Sequence, residues 1–107
     1  MFVYASTDPF TINGHSYASG QTNVPQGFVA ISAGFQNYGD STKVYASQLF
    51  ITDKGGGIYT QLVNTSGGSI PCVIWVVLYY EEDAVPTDVK LSMEDFTITP
   101  LPSTEEE

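Results

Sequence analysis

The chain has 107 residues, the length of one domain, and carries 12 acidic residues against three lysines and no arginine. Eight of its nine net negative charges fall after residue 80, so the body is nearly neutral and the C-terminal part strongly acidic. This balance disfavours nucleic acid and anionic membranes as partners, because both are bound through lysine and arginine. No basic segment followed by an apolar one opens the chain, so we expect no classical signal peptide.

The residue types predict an all-β protein. Helix-forming residues are sparse, while Thr, Ser, Tyr and Val recur in short segments between clusters of Gly, Asn, Asp and Pro. We expect a single small antiparallel β-sandwich, jelly-roll or immunoglobulin-like, of about seven or eight strands over residues 1–100. Residues 101–107 are expected to form a flexible acidic tail.

The first quarter of the chain predicts a short strand and a hairpin. Phe2–Ala5 is read as the first strand. Phe10–Ile12 and His15–Tyr17 flank Asn13-Gly14, and Asn-Gly between short strands favours a type I′ hairpin turn. The polar segment Ser19–Gly27 is read as a loop.

Three further strands are predicted in the middle of the chain. Gly27–Asn37 is small or apolar at odd and even positions alike, which indicates a strand covered on both faces. Val44–Thr52 and Ile58–Asn64 alternate more clearly and are joined by the glycine-rich segment Asp53–Gly57, which predicts a hairpin. In Val44–Thr52, strict alternation puts these residues on one face: Tyr45, Ser47, Leu49 and Ile51.

The segment Ile70–Tyr80 is uncharged and rich in β-branched and aromatic residues. It is too short to cross a bilayer as a helix, which needs about 20 apolar residues, so we read it as a strand with no membrane insertion. Because both faces are apolar, the strand needs a second cover, either another layer or another copy of the chain. Core or oligomer contacts are therefore predicted for Trp75, Val77 and Tyr79.

Two alternatives concern the residues after this strand. Alternation from Val89 predicts another strand reaching Ile98, and a short helix capped by Thr87 is the alternative. An acidic cluster precedes it and could hold Ca²⁺, although its spacing does not match an EF-hand and a solvated loop is the favoured interpretation. The cluster consists of Glu81, Glu82, Asp83 and Asp88.

The sequence offers little for catalysis. Cys72 lies in the apolar segment and is read as a small buried hydrophobe, and His15 has no spaced partners that would form a metal site. Asp40 and Asp53 bracket one strand and should lie at opposite ends of it, so they form no acid–base pair. We therefore expect no enzyme, metal or cofactor, and a small hydrolase is an unfavoured alternative.

Turns and tyrosines are the candidate binding elements. One turn offers Asn37, Tyr38 and Asp40, and another offers Asn64 and Thr65 as ligand contacts. The triplet Asn64–Ser66 also matches a glycosylation site but is read as a turn. Tyrosine rings and hydroxyls can bind sugars or proteins, and such contact surfaces are predicted around Tyr17, Tyr38, Tyr45 and Tyr59.

The order of the segments between Gly27 and Tyr80 resembles that of known protein families. An apolar strand (Gly27–Phe35), a polar strand pair, the segment Tyr59–Asn64 and a strand with central Trp75 follow one another. In these features, over about half of the chain, the sequence resembles small β-sandwich tips of phage tail fibres and other viral receptor-binding or capsid-decorating proteins. It is also similar to H-type lectin domains, which end in a Trp-bearing strand, although the scarcity of Arg and His departs from their pattern.

The resemblance implies a virion protein that assembles as a homo-oligomer, with a trimer favoured, and attaches to a host-surface glycan or receptor. The alternative is a purely structural capsid or tail decoration protein without a ligand.

Overall fold

The computed structural model describes residues 1–39, 42–80, 89 and 91–102. Its ordered elements are strands apart from one turn of 3₁₀-helix, Asp53–Gly55. The strands of the described residues are, in chain order, β1 (Phe2–Ser6), β2 (Phe10–Ile12), β3 (Ser16–Asn23), β4 (Val29–Asn37), β5 (Val44–Thr52), β6 (Gly57–Asn64), β7 (Ile70–Tyr79) and β8 (Ser92–Pro100).

The first sheet is built around β7. Along one side of β7, β1 and β2 follow one another, and β4 lies along the other side. The break between β1 and β2 is tied to β7 by Thr7, whose amide donates to the Ile74 carbonyl at 2.8 Å and whose hydroxyl accepts from the Ile74 amide at 3.0 Å. The neighbouring placement of the two strands predicted to be apolar on both faces, β4 and β7, is therefore observed.

The second sheet has the order β5-β6-β3-β8, with all neighbours antiparallel. The predicted hairpin of β5 and β6 is confirmed, with the 3₁₀ turn between them. Together the two four-stranded sheets confirm the small antiparallel β-sandwich.

The core lies between the sheets. On β7 the side chains that face it alternate along the strand and are buried: Ile70, Cys72, Ile74, Val76 and Leu78. The first three pack with Ile12 and Leu62, and the last two pack with Ala5 and Ile58. Each large aliphatic side chain buried here contributes about 1.5–3 kcal/mol to folding, so this alternation holds the two layers together.

The prediction of a hairpin at Asn13-Gly14 is wrong. β2 belongs to the first sheet and β3 to the second, so this segment crosses between layers. His15, rather than a pair of turn residues, carries a positive φ of 50°. Gly14 lies so close to Gly67 that a Cβ on it would stand 2.6 Å from the Gly67 carbonyl carbon, so the glycine serves a contact between loops.

The prediction of a loop over Ser19–Gly27 is also wrong as far as Asn23, because β3 runs through it as an internal strand of the second sheet. The composition of β3 does not predict a strand, since Ser, Gly, Gln and Asn are poor strand formers. Pairing on both sides supplies the stabilisation that propensity does not, because β3 bonds to β6 and to β8 along most of its length.

Bulges alter the predicted faces of two strands. The register of β5 with β6 shifts between Ala46 and Gln48, and that of β4 with β7 shifts between Ala30 and Ser32. Leu49 therefore packs inward with the core while Phe50 stays exposed, so the face predicted for Leu49 together with Tyr45 is wrong. A bulge adds one residue and reverses which later side chains point to the core.

The last described strand follows the favoured prediction. β8 is a strand over Ser92–Pro100, so the helical alternative is excluded there. Leu101, just after it, donates its amide hydrogen to the His15 carbonyl at 2.8 Å. The acidic segment proposed for Ca²⁺, residues 81–88, and the end of the tail, residues 103–107, lie outside the described residues.

Candidate interaction surfaces

The outer side of the first sheet carries the three β7 residues predicted for assembly. Neighbours in register point to the same side of a sheet, so each of these side chains is flanked by residues of β1 and β4. The rows formed in this way are Phe2–Tyr79–Val29, Tyr4–Val77–Ser32 and Ser6–Trp75–Gly34. Strands β1, β4 and β7 contain no charged residue.

This surface exposes large apolar side chains. Phe2 is 64% exposed and Tyr4 is 62% exposed, while Val29 and the bulged residue Ile31 are about half exposed. A contiguous patch of this kind is uncommon on a soluble monomer and marks an interaction site. We call the outer surface of these three strands the apolar face; it comprises Phe2, Tyr4, Val29, Ile31, Trp75, Val77 and Tyr79.

Aromatic contacts make the apolar face rigid. The rings of Phe2 and Tyr79 lie 5.4 Å apart, and those of Tyr4 and Trp75 are stacked at 6.2 Å. Trp75 rests on β4 at Gly34, where any Cβ would overlap the indole ring. The rings are therefore held in place before any partner arrives, which lowers the entropy cost of binding.

The candidate ligand residues in the turns meet at one end of the sandwich. Tyr38 donates its amide hydrogen to the Pro71 carbonyl at 2.9 Å, and Thr65 donates both amide and hydroxyl to the Lys43 carbonyl at 2.8 and 2.9 Å. Asn37 accepts the Gly39 amide at 3.0 Å in an Asx turn. Tyr38 and Thr65 remain exposed, and Asp40 lies outside the described residues.

The structure removes Asn64 from this candidate set. Its side chain is fully buried, so a ligand at this surface cannot contact it. Nδ2 lies within 3.2 Å of the Ile12, Asn13 and Gly68 carbonyl oxygens. Oδ1 accepts the Ser66 amide and hydroxyl at 2.9 and 2.8 Å. The residue fastens loops together, and the glycosylation triplet is a turn, as predicted.

A second aromatic surface lies on the outer side of β5, β6 and β3, three strands of the second sheet that contain no charged residue. The predicted contact residues Tyr17, Tyr45 and Tyr59 share it, and Phe50 lies beside Tyr59 with the ring centroids 5.5 Å apart. Sequence reasoning missed Phe50 because the bulge in β5 brings it to this side. Glutamines and a serine lie between the rings. We call this surface the tyrosine face; it comprises Tyr17, Ser19, Gln21, Tyr45, Gln48, Phe50, Tyr59 and Gln61.

A pocket of about 260 Å³ opens where the β1–β2 connection approaches β8. Its lining is mostly apolar, with Asp8 and Thr7 as the polar contributors, and Phe10 meets Phe96 edge-on at 5.0 Å. Sequence reasoning did not identify this pocket, because its walls come from both ends of the chain. The full set of described lining residues is Thr7, Asp8, Pro9, Phe10, Leu91, Met93 and Phe96.

Reactive side chains are few on the described surface. Burial raises the pKa of the Cys72 thiol to about 11, so at neutral pH it is not a thiolate nucleophile. His15 is exposed and its backbone is bonded to Ser66 and Leu101. Among the described residues, no group of three or more His, Cys, Asp or Glu side chains could hold a metal ion.

The fold and surfaces define a two-layer β-sandwich with aromatic side chains exposed on both outer faces. Comparison with protein-family models, with curated proteins and with solved structures finds no match for this chain. Within the described ranges, no helix has the length and apolar character needed to span a membrane.

Proposed function

We propose that the chain is a non-enzymatic, viral-type attachment subunit that assembles into a homotrimer through its apolar face. The observation that carries the proposal is the exposure of Phe2, Tyr4 and their neighbours on a sheet surface without charge. Removing such side chains from water on association is favourable at about 25 cal/mol per Å² of apolar area.

The apolar face covers the half of the first sheet in which β1 lies beside β7. Strand β1 pairs with the five residues Trp75–Tyr79. These span about 17 Å and three adjacent strands span about 14 Å, giving a projected area of roughly 240 Å². A standard interface takes about 800 Å² from each partner, so the relief of the exposed side chains and the residues around the face complete the interface we propose. The resemblance to trimeric tail-fibre tips favours three copies around one axis.

In this proposal, the surfaces that remain exposed in the trimer bind the host-surface receptor or glycan. The loop end bearing Asn37, Tyr38 and Thr65 is one such surface, because it lies at the end of the strands rather than on the apolar face. The alternative is a decoration protein whose apolar face covers a different capsid or tail protein; the same observation supports it, and the oligomeric state separates the two.

Light scattering coupled to gel filtration tests the assembly. We expect a particle of about three times the 11.6 kDa chain mass. Tyr4→Lys places a charge in the centre of the apolar face, and we expect it to yield monomers because a buried unpaired charge is strongly unfavourable. Tyr38→Lys is the matched control, since Tyr38 is similarly exposed at 56% but lies at the loop end; it should stay trimeric.

A wild-type protein that is monomeric at every accessible concentration contradicts self-assembly. If that monomer binds a capsid or tail protein stoichiometrically, and Tyr4→Lys abolishes the binding, the decoration alternative replaces the proposal.

A further inference from the structure

We propose that the tyrosine face is a binding site for an uncharged polysaccharide or oligosaccharide. The site lies on the opposite layer from the apolar face and away from Asn37, Tyr38 and Thr65. The inference gives the attachment role a ligand class, and it rests on the proposed function for its biological meaning.

The residues of the tyrosine face form rows across β5, β6 and β3. The first row is Tyr45–Val63–Tyr17, the second is Gln48–Gln61–Ser19 and the third is Phe50–Tyr59–Gln21. Amides and a hydroxyl therefore stand between two rows that carry aromatic rings. Successive rows on β6 are two residues apart, or about 6.8 Å, so the aromatic rows lie roughly 13 Å from each other.

Several polar groups of the face are held in position by neighbours. The Gln21 Nε2 donates to the Thr52 hydroxyl at 3.0 Å, and the Ser19 hydroxyl lies 3.1 Å from that of Thr97. The Ser47 hydroxyl donates to the Gln61 carbonyl at 3.2 Å and anchors the bulge. The Ser19 and Gln21 side chains are thereby preorganised and lose less conformational entropy when a ligand binds.

The charge and chemistry of the face match a neutral sugar chain. Strands β3, β5 and β6 contain no charged residue, and on the edge strand β8 Glu94 stands in register with Gln21, which disfavours an anionic ligand. Sugar rings present C–H faces that stack on aromatic rings, and their hydroxyls both donate and accept hydrogen bonds, as glutamine amides do. Tyr45 and Phe50 are about half exposed, so their rings are available for stacking.

Comparison with the apolar face favours a sugar as the ligand of the tyrosine face. The rows of the apolar face combine aromatic, aliphatic and hydroxyl side chains and contain no side-chain amide, which suits a protein surface. On the tyrosine face every aromatic row adjoins an amide row. A polyol needs both kinds of contact together, whereas a protein–protein interface core needs mainly the first.

Affinity electrophoresis provides the test. Wild-type protein is run in native gels containing dextran, galactomannan, xyloglucan or mixed-linkage β-glucan, with heparin as the anionic comparison. We expect retardation in at least one neutral gel, unchanged by added NaCl, and none with heparin. Tyr45→Ala and Phe50→Ala should each raise the dissociation constant about tenfold or more, whereas Tyr45→Phe should keep most of the affinity.

Two controls locate the ligand. Gln36→Ala changes an exposed residue of β4 in the opposite sheet, outside both attachment surfaces, and should bind like wild type. Trp75 is the one tryptophan of the chain and lies on the apolar face, so its fluorescence should not change when the polysaccharide binds.

Three outcomes overturn the inference. They are retardation in none of the neutral gels, loss of binding in Gln36→Ala but not in Tyr45→Ala, and a Trp75 signal that titrates with the polysaccharide. Capture of a protein partner by the tyrosine face, without retardation by any neutral polysaccharide, also overturns it. The Tyr4→Lys monomer separates the two proposals: if it keeps the affinity, the sugar site stands independently of assembly.

Discussion

One buried amide, that of Asn64, joins two loops at one end of the sandwich. Its Nδ2 contacts carbonyl oxygens before β3 and after β6, and its Oδ1 holds the turn at Ser66. Buried backbone groups that lose a partner cost about 1–3 kcal/mol each, so a single side chain here stabilises a whole loop cluster. The candidate contact residue Thr65 directly follows Asn64 and lies in one of these two loops.

We predict that Asn64→Ala lowers the free energy of unfolding by about 3 kcal/mol, because it leaves several buried carbonyl and amide groups without a partner. Urea denaturation measures the change. Thr65→Ala, an exposed neighbour that loses one hydrogen bond, is the control and should cost about 0.5 kcal/mol. Equal losses in both variants would contradict the role assigned to Asn64.

Among the elements, β4 and β7 pair where Trp75 of β7 lies on Gly34 of β4. A glycine in a strand interior is usually destabilising, and here it provides the space that lets a large ring lie flat on the sheet. The bulge at Ile31, three residues earlier, sets which residues of β4 share the outer face with that ring. The apolar face therefore depends on a glycine and a bulge as much as on its apolar residues.

We predict that Gly34→Ala destabilises the fold by about 1–3 kcal/mol and displaces the indole, because the added methyl overlaps the ring and overpacking has costs of this size. Chemical denaturation followed by Trp75 fluorescence measures both effects. Gly68→Ala serves as the matched control, since nothing lies within 4 Å of a Cβ at that position. An unchanged emission maximum together with unchanged stability in Gly34→Ala would refute the prediction.

At the scale of the whole molecule, seven of the eight described strands are free of charge. Strands β1 to β7 hold none of the chain's lysines or acids, which lie in the connections and in the C-terminal part, including β8. The acidic C-terminal part gives the chain solubility and repels indiscriminate association, while the uncharged faces remain free for specific contacts. The interior is dry enough to keep the Cys72 thiol neutral well above physiological pH.

We predict that the free energy of unfolding falls at alkaline pH, partly because the Cys72 thiol ionises more readily in the unfolded chain. Burial raises the pKa of its thiol from 9.0 to about 11, so the unfolded chain loses this proton first as the pH rises. The contribution of the neutral Cys72 thiol to the free energy of unfolding is about 2–3 kcal/mol. It is fully present below pH 9 and is lost by about pH 11. Urea midpoints of wild type and Cys72→Ala, measured from pH 8 to pH 10.5, should converge; a constant difference would contradict this linkage.

Several features could be predicted from the sequence because they follow from local pattern. The β5–β6 hairpin follows from two alternating segments around three glycines, and β7 follows from an uncharged β-branched segment. The tyrosines of the tyrosine face could be selected from the sequence as candidate contact residues, but the surface they share could not be predicted. Phe50 joins them only through the bulge at Ser47, which alternation cannot reveal.

The sequence by itself determined an all-β chain with an apolar central strand and an acidic C-terminal part, because strand propensity, alternation and charge are local properties. Only the tertiary structure decided that Asn13-Gly14 crosses between sheets, that the weak segment Ser16–Asn23 is an internal strand, and that Asn64 is buried. Each of these depends on hydrogen bonds and packing between residues far apart in the chain. Those long-range contacts override local preference, and they also gather the apolar face and the tyrosine face on opposite sides of the sandwich.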